Sequence, residues 1–266
     1  MRKARHEIRF AFLLIRNELR QSRRSLMEAL IIAFRCGLLL LVYASTYRMK
    51  GDLIAGLRYE TVAWSMFLYF MFSTLKLRRI APSLFQDIQS GDVQLLINRP
   101  IPHLGYRMWN QIAAGCVSAV CVVPVAVFLM FLNIPAPSIM RSGIFWGTLP
   151  VVLAGCVILS LLVYSIIGLA AFWMEEPTPL FWISDKSVMI LGGSLLPVAF
   201  FPPFMKTLAI YSPFGSCQLL THMTSATWNH EALKSIGIQW FWIVTLLFFL
   251  VWLNKKARVK LSINGG

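Results

Sequence analysis

Apolar residues in this chain come in long runs with short polar borders, and the run lengths decide the first question. A helix needs about 20 apolar residues to cross a bilayer core. Six stretches approach that length: 26–47, 62–75 with a few residues added at its ends, 108–132, 145–172, a fifth from near Pro179, and 235–253. The pattern predicts an all-α, polytopic membrane protein with six transmembrane helices in a domain covering 26–253. Ahead of it, Ile8, Phe12, Ile15 and Leu19 recur at helical spacing, while Arg5, Arg9, Arg16, Arg20 and Arg23 take other positions. Residues 1–25 therefore read as a cytoplasmic basic amphipathic arm. Such an arm either lies on the anionic inner leaflet or simply supplies topogenic charge. Charges run throughout residues 1–24 and no continuous apolar core interrupts them, so an uncleaved arm is expected rather than a signal peptide.

Composition narrows the class. With 58% hydrophobic and 14% charged residues, the chain differs from soluble domains, which carry roughly 45–50% apolar and about 25% charged residues, and from disordered chains, which lack hydrophobicity. The net charge of +14 would suggest nucleic acid in a soluble protein. Here the basic residues flank apolar runs, so the expected partner is the lipid bilayer and not nucleic acid. Of the 25 Lys and Arg, 18 fall on the side of the termini and six on the other, Arg35 being the one within a span. Positive charge collects on the cytoplasmic side, which predicts a multi-pass protein of the cell (inner) membrane with both termini cytoplasmic, including the basic tail 254–266. Cys36, Cys116, Cys121 and Cys156 lie in apolar runs and Cys217 stands apart, giving no disulfide or metal motif.

Between the second and third spans, residues 80–102 are too polar to insert and too apolar for a free loop. Leu84 and Ile88, then Val93, Leu95 and Leu96 beyond a Ser90-Gly91 break, give apolar positions on a short helix across the membrane face. Gly91 ends one helical turn, Asp92 caps the next, and Pro100 and Pro102 stop it. The stretch DIQSGDVQLLINRP resembles the signature after the second span in ABC-2-type transporter permeases, the membrane subunits of ATP-binding-cassette exporters. EEPTPLFWISDK, then LGGSLLPVAFFP and YSPFGSCQLL, resemble the later half of the same family in matching order. Asn98 before Arg99-Pro100 departs from the pattern, where an apolar or basic residue is expected.

That resemblance implies a coupling helix seated in a cleft of a cytoplasmic ATPase, with Asp87, Asp92 and Arg99 as contact candidates alongside Leu84, Ile88, Gly91, Leu95 and Leu96. It also implies a second permease chain, identical or paralogous, and export by alternating access. No cofactor is expected in this chain, and ATP with Mg belongs to the partner ATPase. The sequence agrees in lacking a GxxxxGK[ST] phosphate loop. An enzyme has no support: His230-Glu231-Ala232-Leu233-Lys234 lacks the second histidine of HExxH, and no GxSxG elbow occurs. The alternatives kept beside the exporter are an ion-coupled carrier and a non-transporting anchor that recruits a cytoplasmic protein.

Arg35 is the costly residue, since a charge at mid-bilayer costs at least about 2.5–3.5 kcal/mol. It must face protein or water, either paired with Glu28, seven residues earlier, or with a neighbouring helix, or in a substrate path. Pro197, Pro202, Pro203 and Pro213, with Phe214, break the apolar stretch 197–222 into a re-entrant outer gate. Most tryptophans near span ends read as interfacial anchors, and Gly143 and Gly147 match GxxxG as a packing face. Few polar side chains lie within the spans, which favours an amphiphilic or hydrophobic cargo.

Overall fold

The computed structural model describes residues 22–51, 53–54, 56–91 and 103–264. Helix α1 (Ser22–Lys50) is followed by a minimal antiparallel hairpin, β1 (Leu53–Ile54) and β2 (Leu57–Arg58), with Leu53 opposite Arg58. Then come α2 (Tyr59–Ser73), a 3-10 turn (Leu77–Arg79), α3 (Ile80–Gln89), α4 (His103–Asn133) and α5 (Gly143–Leu169). The remainder is α6 (Thr178–Leu191), the short α7 (Pro203–Tyr211) and α8 (Pro213–Ser216), a 3-10 stretch (Leu219–Thr224), and α9 (Trp228–Asn264). The fold is helical apart from the hairpin, which the all-α expectation did not include. The predicted arm 1–25 lies outside the described residues up to Ser22.

Among the described residues, three helical segments are long and apolar enough to cross a membrane: Leu30–Lys50, Gly143–Phe172 and Trp228–Lys260. They correspond to the first, fourth and sixth predicted spans. Their surroundings differ. Only 11% of the first and 17% of the last are buried against 67% of the middle one, so α5 is the axis of the bundle while α1 and α9 turn apolar faces such as Phe34, Leu41, Phe248 and Val251 outward. The other predicted spans correspond to α2, α4 and α6. At about 1.5 Å per residue, the 15 residues of α2 and the 14 of α6 reach only about 22 and 21 Å.

Bare glycines set how closely these helices approach. A Cβ on Gly168 of α5 would meet Leu84 Cδ1 of α3 at 2.5 Å, and one on Gly115 of α4 would meet the Leu75 carbonyl oxygen at 2.5 Å. A Cβ on Gly155 would run into the Gln239 carboxamide, whose Nε2 donates to the Ser216 carbonyl at 3.0 Å. Gln239 is fully buried and ties α9 to α5 and to the end of α8. By contrast, Gly143 and Gly147 meet nothing, so the expected GxxxG face packs against no part of the described chain.

The stretch predicted as an outer gate is broken in the manner its prolines dictate. Pro197 precedes a 3-10 turn, Pro202 caps α7, Pro203 opens it, and Pro213 opens α8. Each proline thus stands where a missing N–H costs nothing. Gly215 lets α8 lie on the Ala209 carbonyl, and Phe214 packs with Leu191, Val198, Phe201 and Ala209. Three short helices result where a seventh straight span would otherwise run.

Candidate functional site

Two sites meet at one sharp turn. Lys76, at the end of α2, has a φ of 53°, in the left-handed region that non-glycine residues rarely occupy. α4 holds it there: Gln111 Nε2 donates to the Lys76 carbonyl at 3.0 Å, and Lys76 Nζ donates to Ser118 Oγ at 2.9 Å. The turn redirects the chain from α2 into the amphipathic α3.

The inward face of α3 is Ile80, Ala81, Leu84, Phe85 and Asp87. Asp87 is 3% exposed. Its carboxylate accepts from Arg107 Nε at 2.6 Å and again from Arg107 Nη2, a two-pronged pair with the start of α4. His103 Nε2 lies 2.6 Å from Asp87 Oδ2; an ionised carboxylate only accepts, so that nitrogen carries the proton. Three donors therefore converge on one buried carboxylate. Asp87, expected as an ATPase contact, is thus turned inward and fastens α3 to α4. Leu84, fully buried against Gly168, is likewise internal, and Ile88 is half-buried. The outward residues are Pro82, Gln86, Gln89, Ser90 and Gly91.

Gly91 ends the helix as expected. Its φ is +76°, and its N–H donates to the Ile88 carbonyl at 3.3 Å, a left-handed helix end that glycine takes without a Cβ penalty. Asp92, Leu95, Leu96 and Arg99 lie outside the described residues.

On the other side of the Lys76 turn, a cavity of about 650 Å³ opens between α1, the end of α2, α5 and α6. Its lining mixes apolar Ile31, Leu38, Phe72, Met189 and Leu195 with charged Arg35, Lys76, Arg78, Arg79, Lys186 and Asp185. Arg35, itself exposed, lines this cavity together with other charged side chains. The side chain of Glu28 lies outside the description. Asp185 sits within α6, 5% exposed, with Oδ2 accepting from Arg78 Nη1 at 3.1 Å and Oδ1 from the Tyr164 hydroxyl at 3.1 Å. Gln218 lines the same cavity, 6% exposed, and its Oε1 has no partner among the described residues.

A smaller pocket of about 50 Å³ lies by the broken segment, lined by Pro197, Lys206, His222 and Glu231 among others. Of the expected outer gate, only Pro197 reaches it.

Among the described residues, no cluster of His, Cys, Asp and Glu has the arrangement of a metal site. The tryptophans divide. Trp146, Trp173, Trp182, Trp240 and Trp252 are exposed, as anchors are, whereas Trp64 is buried and donates to the Pro135 carbonyl at 3.0 Å, and Trp228 is buried against Thr148. Neither of the last two is an anchor.

Arg107, His103 and Asp185 carry the geometry of both sites and were not singled out from sequence. The first two follow Pro102 at the start of a helix, and the third is an isolated acid in the apolar run PLFWISDKSVMIL. No protein-family model and no curated protein matches this sequence.

Proposed function

We propose that this chain is the permease subunit of an ATP-binding-cassette exporter, with six membrane-crossing segments and both termini in the cytoplasm, moving an amphiphilic or hydrophobic substrate. One observation carries the reading. A short amphipathic helix, α3, follows the second apolar helix directly, is locked to the bundle by Leu84 against Gly168 and by Asp87 against Arg107, and leaves a polar face of Pro82, Gln86, Gln89 and Ser90 outward. A helix rigidly joined to the spans but presenting a small open face transmits a push from a docked protein. The resemblance of the quoted motifs to ABC-2-type permeases supports a cytoplasmic ATPase, binding ATP and Mg, as the pusher.

In this reading α2, α4 and α6 complete the six spans. The two short ones are flanked by segments, 76–79 and 192–195, that are buried in protein or line the cavity, where irregular backbone is tolerated at membrane depth. A second permease chain completes the pathway, and the outward apolar faces of α1 and α9 meet it or lipid.

The test is purification of the full chain from its native membrane in mild detergent, followed by assay for bound ATPase activity and for ATP-driven flux in inverted vesicles. ATPase co-purification and flux that stops without ATP are expected. Flux driven by an ion gradient alone would establish a secondary carrier instead, and ATPase binding without any flux would leave only an anchor.

A further inference from the structure

We propose that the cavity between α1, α2, α5 and α6 binds an amphiphile with an anionic headgroup, the headgroup seated among Arg35, Arg78 and Lys186 and the tail against Ile31, Leu38 and Phe72. The inference rests on the permease reading only for the direction of transport, since the binding site is defined by the cavity itself.

Charge is the first argument. Lys76 and Arg79 make other contacts, so the balance is best judged from the remaining three cations, Arg35, Arg78 and Lys186, against the single carboxylate of Asp185. Both oxygens of that carboxylate are occupied, one by Arg78 and the other by the Tyr164 hydroxyl. It therefore compensates one guanidinium and leaves Arg35 and Lys186. Among the described residues Arg35 forms no ion pair, and Lys186 stands over the Trp182 ring at 5.2 Å, a contact that leaves its charge intact. Cations gathered at a low-dielectric wall raise the local concentration of anions.

Shape is the second. A volume of about 650 Å³ falls within the roughly 300–1,000 Å³ of small-molecule sites, larger than a bare inorganic anion needs. The apolar part of the lining gives an acyl or alkyl chain a surface to cover, and α1, which contributes Ile31, Arg35 and Leu38, is only 11% buried along its apolar span. An amphiphile therefore reaches the site sideways from lipid.

Gln218 is the third, independent observation. Its carboxamide is nine-tenths buried at the cavity wall and pressed against bare Gly192, where a Cβ would meet Gln218 Cγ at 2.5 Å, yet Oε1 is unpartnered. A buried polar atom without a partner costs about 1–3 kcal/mol of desolvation in general. A headgroup hydroxyl or amine meets Oε1 only where the carboxamide turns toward the cavity, and there it removes that deficit. The ligand is accordingly an anion that also carries a hydrogen-bond donor, or a singly protonated phosphate monoester, which is both.

The experiment uses the purified full chain in phosphatidylcholine nanodiscs, titrated with dodecyl phosphate, dodecylphosphocholine and inorganic phosphate. Saturable binding of dodecyl phosphate is expected, at least tenfold tighter than dodecylphosphocholine, a difference of about 1.4 kcal/mol, and far tighter than phosphate alone. Arg35→Gln and Lys186→Gln should each weaken dodecyl phosphate about tenfold, while Arg35→Lys stays within about threefold of the unaltered chain. Equal binding of the zwitterion overturns the anionic preference, and phosphate binding as tightly as the amphiphile overturns the role of the apolar lining. These comparisons use the unaltered chain, so they decide even where a variant does not fold. Dodecyl phosphate binding by a chain that associates with no ATPase refutes the permease and keeps the site; ATP-driven flux without such binding does the reverse.

Discussion

Asp87→Asn keeps the side chain's size while removing its charge and turning one of its two acceptors into a donor. In the folded chain Arg107 Nε, Arg107 Nη2 and His103 Nε2 all point hydrogens at this carboxylate. An asparagine satisfies at most the donors that reach its single oxygen, and its NH2 faces donors on the other side. Removing one partner of a buried ion pair costs about 3–5 kcal/mol. The Arg107 side chain is 26% exposed against 4% for Asp87, so water recovers part of the guanidinium's solvation and the expected loss is about 3 kcal/mol. The assay is denaturant titration of the purified chain in mild detergent, followed by tryptophan fluorescence, on Asp87→Asn, Arg107→Gln and the double variant. Because the two residues share one interaction, the double variant should be less destabilised than the sum by about 2 kcal/mol. Additive losses, or an Asp87→Asn chain within about 0.5 kcal/mol of the unaltered one, would refute the reasoning. Charge reversal to lysine, which a surface position tolerates, should here deplete the folded protein from the membrane.

The glycine contacts give independent tests. Gly168→Ala forces its new methyl onto Leu84 and should cost about 1–3 kcal/mol; adding Leu84→Ala, which leaves only the 2.9 Å approach of Leu84 Cβ, should recover about 1 kcal/mol relative to additivity in the same titration. Gly115→Ala meets the Leu75 backbone, which has no rotamer to yield, and should cost about as much without any single side-chain truncation restoring it. Gln86→Arg, on the outward face of α3, should change stability by no more than about 0.5 kcal/mol while lowering ATP-driven flux at least tenfold in inverted vesicles; undiminished flux would move the ATPase contact off this face.

The periodicity of the sequence carried more of this than its charges did. Apolar run length picked out α1, α5 and α9, the helices long and apolar enough to cross a membrane, because length and apolar composition are both local properties of the sequence. The breaks at Pro197, Pro202, Pro203 and Pro213 were legible for the same reason: proline fixes φ and removes a donor wherever it stands. Asp87 is an ATPase-contact candidate through the family resemblance alone, whereas its position three residues after Leu84 and one before Ile88 puts it on the inward stripe of the helix. The 3.6-residue period was the better guide, and a buried partner was its consequence. What periodicity does not contain is the partner. Arg107 is 20 residues away from Asp87, and Arg78 is 107 away from Asp185, separations that only the packing of α4 and α6 resolves. The glycine contacts were illegible for a related reason, since Gly168 in SLLVYSIIGLAAF differs in no local way from the open Gly147.

The Lys76 turn joins the two halves of the proposed mechanism. A non-glycine residue in the left-handed region costs about 1–3 kcal/mol, and here α4 offsets that cost with two hydrogen bonds, one to the Lys76 carbonyl and one from its ammonium, and with the close approach at Gly115. The turn's continuation, Leu77–Arg79, both lines the cavity and leads without a break into α3. An anion arriving beside Arg78 competes with Asp185 for that guanidinium, and Asp185 belongs to α6. Movement of α3 by a docked protein displaces Arg78 from the same carboxylate. Cavity occupancy and α3 position thus act on one ion pair through one short stretch of backbone, and each must bias the other by an equal free energy. Two separate rigid units would need a flexible linker between them, and the chain instead places a clamped turn there.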